Sequence, residues 1–375
     1  MSCLDTSTAP SPVRLSEQTH VYTPCLLCRS TSFSMISSRE NMADQRRYLT
    51  AFHRQRLRNP PDTHHGSEAL MDRSRFTQDY DTHIVACRRC GLICRNPHPR
   101  ANSVMQAYAS DQYDRDHLRQ EFNTQLRWAR TKIPVVRSWL AEKHRPRLVE
   151  VGSFVGGFLA AAREEGWSIT GVDPGETVTD FCSEYKLPVY RGTIENAPLR
   201  PGELDGIMVW NTFDQLPDPY ALLASAADSL KSRGLLVIRI PHGTCYRMSI
   251  SLATRHRWMQ RVLYPLLAWN NLLSFPYLHG YDVNSLDRLV AHHGFRREAV
   301  YPDTLMTSST PTTRWWARLE EQLLKALCRS AWQIEGVVDG HRYRTACWLD
   351  VYYRRTAKRE TQFTRGCTSR FSRRV

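Results

Sequence analysis

The sequence predicts an α/β protein built on a doubly wound parallel sheet, with a small cysteine-clipped module in front of it. Three observations carry that expectation. From Arg147 onward, short apolar runs alternate with loops and helical stretches. A glycine-rich loop follows the first run, and Asp173 ends the second, 21 residues beyond Gly152. Two C-x2-C pairs, Cys25 with Cys28 and Cys87 with Cys90, lie near the start of the chain.

With 375 residues, 41% hydrophobic and 23% charged, the chain suits one large domain plus an appendage, and collagenous or wholly disordered organisation is excluded. No apolar stretch approaches the roughly 18–20 residues that span a bilayer, and the first twenty residues lack the apolar core of a secretory signal, so the expected location is the cytoplasm. Eleven cysteines in that setting fit reduced thiols and a metal site better than a disulfide framework. The net charge of +14 is concentrated at the ends. From Tyr353 to Val375 eight basic residues face one acid, and residues 1–100 hold 14 Arg against 9 acids, which leaves +2 for residues 101–352. A nearly neutral middle argues against a nucleic acid lying across it.

Residues 1–20 are polar, rich in Ser, Thr and Pro, and read as disordered. Residues 21–100 form the module. Each C-x2-C can aim two thiolates at one ion, and four thiolates favour closed, tetrahedral, structural zinc. The 58 residues between the pairs exceed the usual spacer of a zinc ribbon, so an insertion is expected at about 37–75. That stretch is rich in Arg and His, carries a Pro-Pro break and shows no sustained apolar face; His53, His64 and His65 read as loop histidines. Residues 101–146 follow as a helical connector, in which Tyr108 and Tyr113 either pack or close over a ligand.

The strand at Leu148–Val151 breaks at Gly152-Ser153-Phe154-Val155-Gly156-Gly157, and a helix then runs to Glu165. Glycines there let the backbone approach a ligand, and free amides at the helix start can face its polar groups. Asp173, at the end of the second strand, suits a carboxylate that accepts both ribose hydroxyls of a nucleoside. A strand over 204–210 leads into Asn211-Thr212-Phe213-Asp214-Gln215, a helix from Pro219 is ended by Gly234, and Leu235–Ile240 is the fifth strand.

These segments resemble the class I S-adenosylmethionine-dependent methyltransferases: Glu150 to Gly156 as the first motif, Gly171-Val172-Asp173-Pro174 as the ribose acid, and Trp210 to Pro219 after strand four. The resemblance covers about 147–355 and implies a seven-stranded Rossmann-like sheet followed by a basic tail at 356–375. Its later elements would be an Asn284-capped helix, a strand over Arg296–Val300, a helix over about Thr312–Arg329, and an antiparallel last strand near Thr345–Tyr353. The cysteine-pair front end resembles the zinc-ribbon extension of a bacterial subgroup linked to sugar, polysaccharide or secondary-metabolite methylation. Carried over, Glu150, Gly152, Ser153 and Gly156 would hold the methionine part, Asp173 the ribose, Thr193 and Ile194 the adenine, and Asn211 and Phe213 the sulfonium end. Gln215 departs from the pattern, since relatives often carry His there and glutamine cannot act as a base.

Methyl transfer needs alignment of a nucleophile and, for a hydroxyl or acidic carbon, loss of its proton. His242, His279 and Tyr281 are the catalytic candidates, from segments that overhang the pocket in this topology. An aromatic- and leucine-rich insertion at 246–276 reads as buried packing, a lid, a homo-oligomer contact or a peripheral membrane helix. The expected function is O- or C-methylation of a small-molecule, sugar or glycan acceptor with S-adenosyl-L-methionine as donor. An RNA methyltransferase and a non-catalytic cofactor-binding scaffold are the alternatives.

Overall fold

The computed structural model describes residues 20–58, 82–110, 113–140, 145–307, 312–339 and 343–356. The expected disordered start up to residue 19, most of the basic tail, His64 and His65 lie outside them, while His20 belongs to a short strand. Seven strands make the central sheet: β6 (Arg147–Val151), β7 (Ser168–Asp173), β8 (Val189–Arg191), β9 (Leu204–Val209), β10 (Leu230–Pro241), β12 (Phe295–Asp303) and β13 (Trp348–Arg355). Their order is β12-β13-β10-β9-β6-β7-β8. β13 runs antiparallel to both of its neighbours, and the other described pairings are parallel. The chain order reverses beside β6, which places the carboxyl ends of β6 and β9 at a switch point, the place where open α/β sheets take their ligands.

Helices cover both faces. The connector becomes α2 (Ala101–Ser110) and α3 (Arg115–Leu140), and α3 buries Leu118, Phe122, Ala129, Ile133 and Val136 at helical spacing. It sits so close to α4 (Gly157–Glu164) that a side chain on Gly157 would lie 2.5 Å from Gln125 Cβ. After α5 (Glu176–Glu184), α6 (Pro219–Ser229) starts from the Asp218 cap and ends five residues before Gly234. The chain turns extended at Leu230 because that residue already pairs with Leu204. α9 (Val283–Ala291) is capped by Asp282 in a reciprocal box with Ser285, not by Asn284. α10 (Trp315–Asp339) runs ten residues past the expected end.

The module is built on β2 (Phe33–Ser37), β3 (His83–Cys87) and β4 (Ile93–Asn96), and its fourth strand is β11 (His279–Gly280), supplied from the methyltransferase-like part. β1 (His20–Val21) and β5 (His98–Pro99) form a separate pair. The insertion at 37–75 differs from its expectation. It contains α1 (Arg39–Arg56), whose Met42, Gln45, Leu49 and Phe52 are buried against α7 (Gly243–Arg255), α8 (Gln260–Trp269) and the turn after them. The apolar residues of 246–276, Leu267, Trp269, Leu272, Leu273 and Phe275 among them, fill the same cluster. The two insertions therefore meet in a third core, which α1 enters through Met42, Leu49 and Phe52. Arg56 stacks on Phe52 and makes a two-pronged ion pair with Glu320 of α10 at 2.6 and 2.7 Å, which ties α1 to the far end of the chain.

Candidate active site

The loop after β6 is positioned by backbone geometry. Gly152 has φ +69° and Gly156 has φ +75°, in the left-handed region. A Cβ on Gly152 would lie 2.2 Å from Thr212 Oγ1, so the loops after β6 and β9 touch only because that residue has no side chain. Gly152 N–H donates to Val172 O at 2.8 Å, which ties the loop to the end of β7.

Asp173 lies beneath this loop. Its two carboxylate oxygens accept from Phe154 N–H and Gly175 N–H, each at 2.9 Å. Burial outweighs those two bonds and pushes the carboxyl up to about 6. Glu150, also buried, is raised well above its ordinary value by burial and then by the charge of Asp173. Among the described residues, Glu150 Oε2 and Ser153 Oγ are buried without a hydrogen-bond partner. A glycine cradle, two orphaned buried oxygens and a carboxylate with lone pairs to spare fit a nucleoside carrying an amino-acid group.

At the carboxyl end of β9, Asn211 adopts φ +55° and is held from two sides. Arg239 Nε donates to its side-chain oxygen at 2.9 Å, and Gln215 Nε2 donates to its carbonyl at 2.6 Å. Tyr108 of α2 donates to Gln215 Oε1 at 2.8 Å, and Tyr113 meets Phe154 edge-on at 5.4 Å, so both connector tyrosines lie against the two loops. Ile194 is buried in the core beside the β7 and β8 ends, and Thr193 Oγ1 accepts from Asn196 Nδ2.

His279 and Tyr281 stand next to this turn. Leu278 N–H donates to Asp214 O at 3.2 Å, the Tyr281 ring is 5.4 Å from Phe213, and the His279 ring is 5.9 Å from Tyr281. Burial, with a smaller contribution from His98 at 6.4 Å, pushes His279 down to about 3. His279 Nδ1 and Tyr281 Oη are buried without a hydrogen-bond partner among the described residues. His242 adjoins the same segment, since Gly243 N–H donates to Tyr281 O at 2.8 Å; its own Nδ1 lies 3.1 Å from Ala346 O, and it lines a cleft of about 440 Å³ with Thr244, Asp282, Asn284, Arg297 and Tyr343.

Two contributors escaped the sequence reading. Arg239, fully buried on β10, contacts Asp303 at 2.7 Å and Asp350 at 2.5 Å between the rings of Trp128 and Trp348, each 5.1 Å from its guanidinium carbon. His98 stands near His279 because β4 pairs with β11. Only spatial pairing reveals either residue.

The four cysteines of the module converge. Cys25 and Cys90 have sulfurs 3.4 Å apart, as do Cys28 and Cys87, and all four sulfurs lie within 4.8 Å of one another. Positive φ at Arg29 and Gly91 turns each knuckle, and backbone amides return to Cys25 O and Cys87 O at 2.9 Å. The donor set fits one tetrahedral thiolate-bound ion.

Residues 118–300 match a protein-family model described as Methyltransferase domain, and that span holds the glycine loop, Asp173 and the Asn211 turn. The chain carries a class I S-adenosylmethionine-dependent methyltransferase domain. No curated protein matches the sequence. Among solved structures, this methyltransferase is similar to an S-adenosylmethionine-dependent methyltransferase of Archaeoglobus fulgidus, with 19% identity over 64% of this chain and 100% of that one and a TM-score of 0.41. A Thermotoga maritima S-adenosylmethionine-dependent methyltransferase gives 15%, 64%, 91% and 0.39 in the same order. The geranyl diphosphate C-methyltransferase of Streptomyces coelicolor gives 14%, 67%, 88% and 0.38. No described helix of the methyltransferase is long and apolar enough to cross a membrane.

Proposed function

We propose that this methyltransferase acts on a small-molecule or carbohydrate acceptor, bound where the Asn211–Gln215 turn meets the His279–Tyr281 segment. One observation carries the reading: a buried imidazole and a buried phenol lie beside the cofactor turn in a region, residues 101–352, with a net charge of only +2. Bound S-adenosylmethionine supplies an electrophilic methyl group on a sulfonium. Asp173 holds the ribose hydroxyls, while Gly152, Ser153, Gly156 and Glu150 receive the amino-acid end. Thr193 and Ile194 flank the base, and Asn211 and Phe213 shape the sulfonium end. Tyr281 orients the acceptor oxygen or carbon, and His279, neutral at any pH well above 3, receives its proton. Gln215 serves a structural purpose here, linking Tyr108 to the Asn211 carbonyl.

The test is methyl transfer from labelled S-adenosylmethionine to a panel of nucleotide sugars and phenols, with total RNA in parallel. Label on a panel member, lost in His279→Ala while cofactor still binds, supports the reading. Label on RNA with strong salt sensitivity replaces it by the nucleic-acid alternative. Cofactor binding with no label anywhere leaves the scaffold alternative.

The raised carboxyl of Asp173 fixes a pH dependence. Its folded value of about 6 lies above its unfolded value near 4, so ionisation costs the ligand-free protein stability as pH rises through that window. Ribose hydroxyls donate to the ionised form. Affinity for S-adenosylhomocysteine is therefore expected to climb with pH by up to about tenfold per unit below 6 and to level off above it. Calorimetry across pH 5–8 checks this, and Asp173→Asn is expected to remove that part of the slope.

The ion proposed for Cys25, Cys28, Cys87 and Cys90 is structural zinc. Cys28→Ser is expected to abolish stoichiometric zinc, read by elemental mass spectrometry, and to lower the melting temperature by several degrees. Zinc content unchanged in that variant would refute the four-thiolate site.

A further inference from the structure

The outer face of α10 is the largest unexplained apolar surface among the described residues. Trp315, Leu319, Leu323, Leu327, Ile334 and Val338 follow one another along a single side of the helix, with exposures from 48% to 79%. The opposite side is fully used: Ala317, Glu321, Lys325 and Cys328 are buried against the domain, and Glu320 is held by Arg56 and by Trp269 Nε1. Among the helix residues whose exposure is described, only Arg329 is both exposed and charged, and the remaining exposed polar ones are Gln322, Ser330 and Gln333. A helix built to rest on an anionic membrane would border its apolar stripe with Lys and Arg. An uncharged apolar stripe that holds one serine and is edged by Gln322, Gln333 and Arg329 has the composition of a protein–protein contact.

We propose that this face joins two copies of the chain through an antiparallel α10–α10 contact. The sequence of the stripe is self-complementary about a two-fold axis between Ala326 and Leu327. That axis sets Trp315 against the partner's Val338, Leu319 against the partner's Ile334, Leu323 against the partner's Ser330, and Ala326 against the partner's Leu327. Three of these four pairings set a larger residue against a smaller one, and one patch serves both subunits, as an isologous interface requires. The helix is about 37 Å long. Its exposed apolar side chains present, before any contact, an area on the order of the roughly 800 Å² that each partner contributes to a standard-size stable interface. Soluble monomers rarely leave a patch of that size to water.

Sedimentation velocity of the zinc-loaded full chain at micromolar concentration tests the contact. The expected species has twice the 43.4 kDa chain mass. Leu323→Asp combined with Leu327→Asp is expected to halve that mass while cofactor affinity and melting temperature stay within error, because both side chains are exposed in the single chain. In a second variant, Ala326→Cys is expected to form an inter-subunit disulfide under diamide, seen as a doubled band on a non-reducing gel and absent in Ala326→Ser. A monomeric wild-type chain overturns the proposal. If that monomer pellets with phosphatidylglycerol vesicles and the double variant does not, the face belongs to a lipid surface. If it does not pellet, another segment of the same chain covers the face. A dimer that survives the double variant and gives no Ala326→Cys cross-link also overturns it.

Discussion

Arg239→Leu is expected to lower the unfolding free energy by about 3–5 kcal/mol, the usual cost of stranding a buried counter-charge. Arg239 is fully buried on the central strand β10, where it neutralises Asp350 and shares Asp303 with Lys132. Burial opposes ionisation of Asp303, yet Arg239 and Lys132 overcome it and hold that carboxyl well below its ordinary range. A depressed carboxyl stabilises the fold above its unfolded value near 4, and that contribution is lost as pH falls below it. Deleting the guanidinium leaves Asp350 almost wholly buried with only Lys132 as counter-charge. The denaturation midpoint should fall accordingly, and adding Asp350→Asn should restore roughly half of the loss by removing the stranded charge. Equal stability of Arg239→Leu and the wild type would show that the network is energetically idle. The variant also releases the Asn211 side chain, so its cofactor affinity should drop even where it remains folded.

Asp173→Ala is expected to weaken S-adenosylmethionine binding by at least about 100-fold, a loss of roughly 2.7 kcal/mol. Two effects combine. The ribose loses a charged acceptor, and charge-assisted hydrogen bonds contribute about 1.5–3 kcal/mol each. The amides of Phe154 and Gly175 lose theirs as well, which loosens the glycine loop and the start of α5. Titration calorimetry reads the affinity directly, and the melting temperature without ligand separates the two effects. Raised stability with abolished binding would assign the whole loss to the ribose contact, since burial of this carboxylate is itself costly. Unchanged affinity would remove Asp173 from the cofactor site.

The glycine loop, Asp173, the turn after β9 and the two cysteine knuckles were legible in the sequence because each is a local pattern in which spacing alone implies geometry. Whatever depends on distant pairing was not. Arg239 is one basic residue in the apolar run Leu235–Ile240, and its partners lie 64 and 111 residues downstream. The end of α6 was misplaced by five residues because Leu230 obeys its pairing with Leu204 rather than the helix stop at Gly234. α1 went unread because Met42, Leu49 and Phe52 complete their apolar surface only with Trp269 and Phe275, more than 200 residues later. The proximity of His98 to His279 follows from the pairing of β4 with β11, which no residue in either segment announces.

That pairing determines how the protein can be taken apart. β11 is covalently part of the transferase and topologically part of the cysteine module, so a cut near residue 100 severs a sheet instead of a linker. Arg95 adds two further ties, donating to the carbonyls of Ser274 and Pro276 at 2.6 Å. A fragment beginning at residue 101 would expose the edge of β11 and the apolar backs of Leu272 and Phe275, and it would aggregate rather than serve as a minimal enzyme. The front end is therefore not an interchangeable cassette. Grafted onto another transferase it would lack its fourth strand, and a change in its cysteine clip would be inherited by the segment that carries His279 and Tyr281.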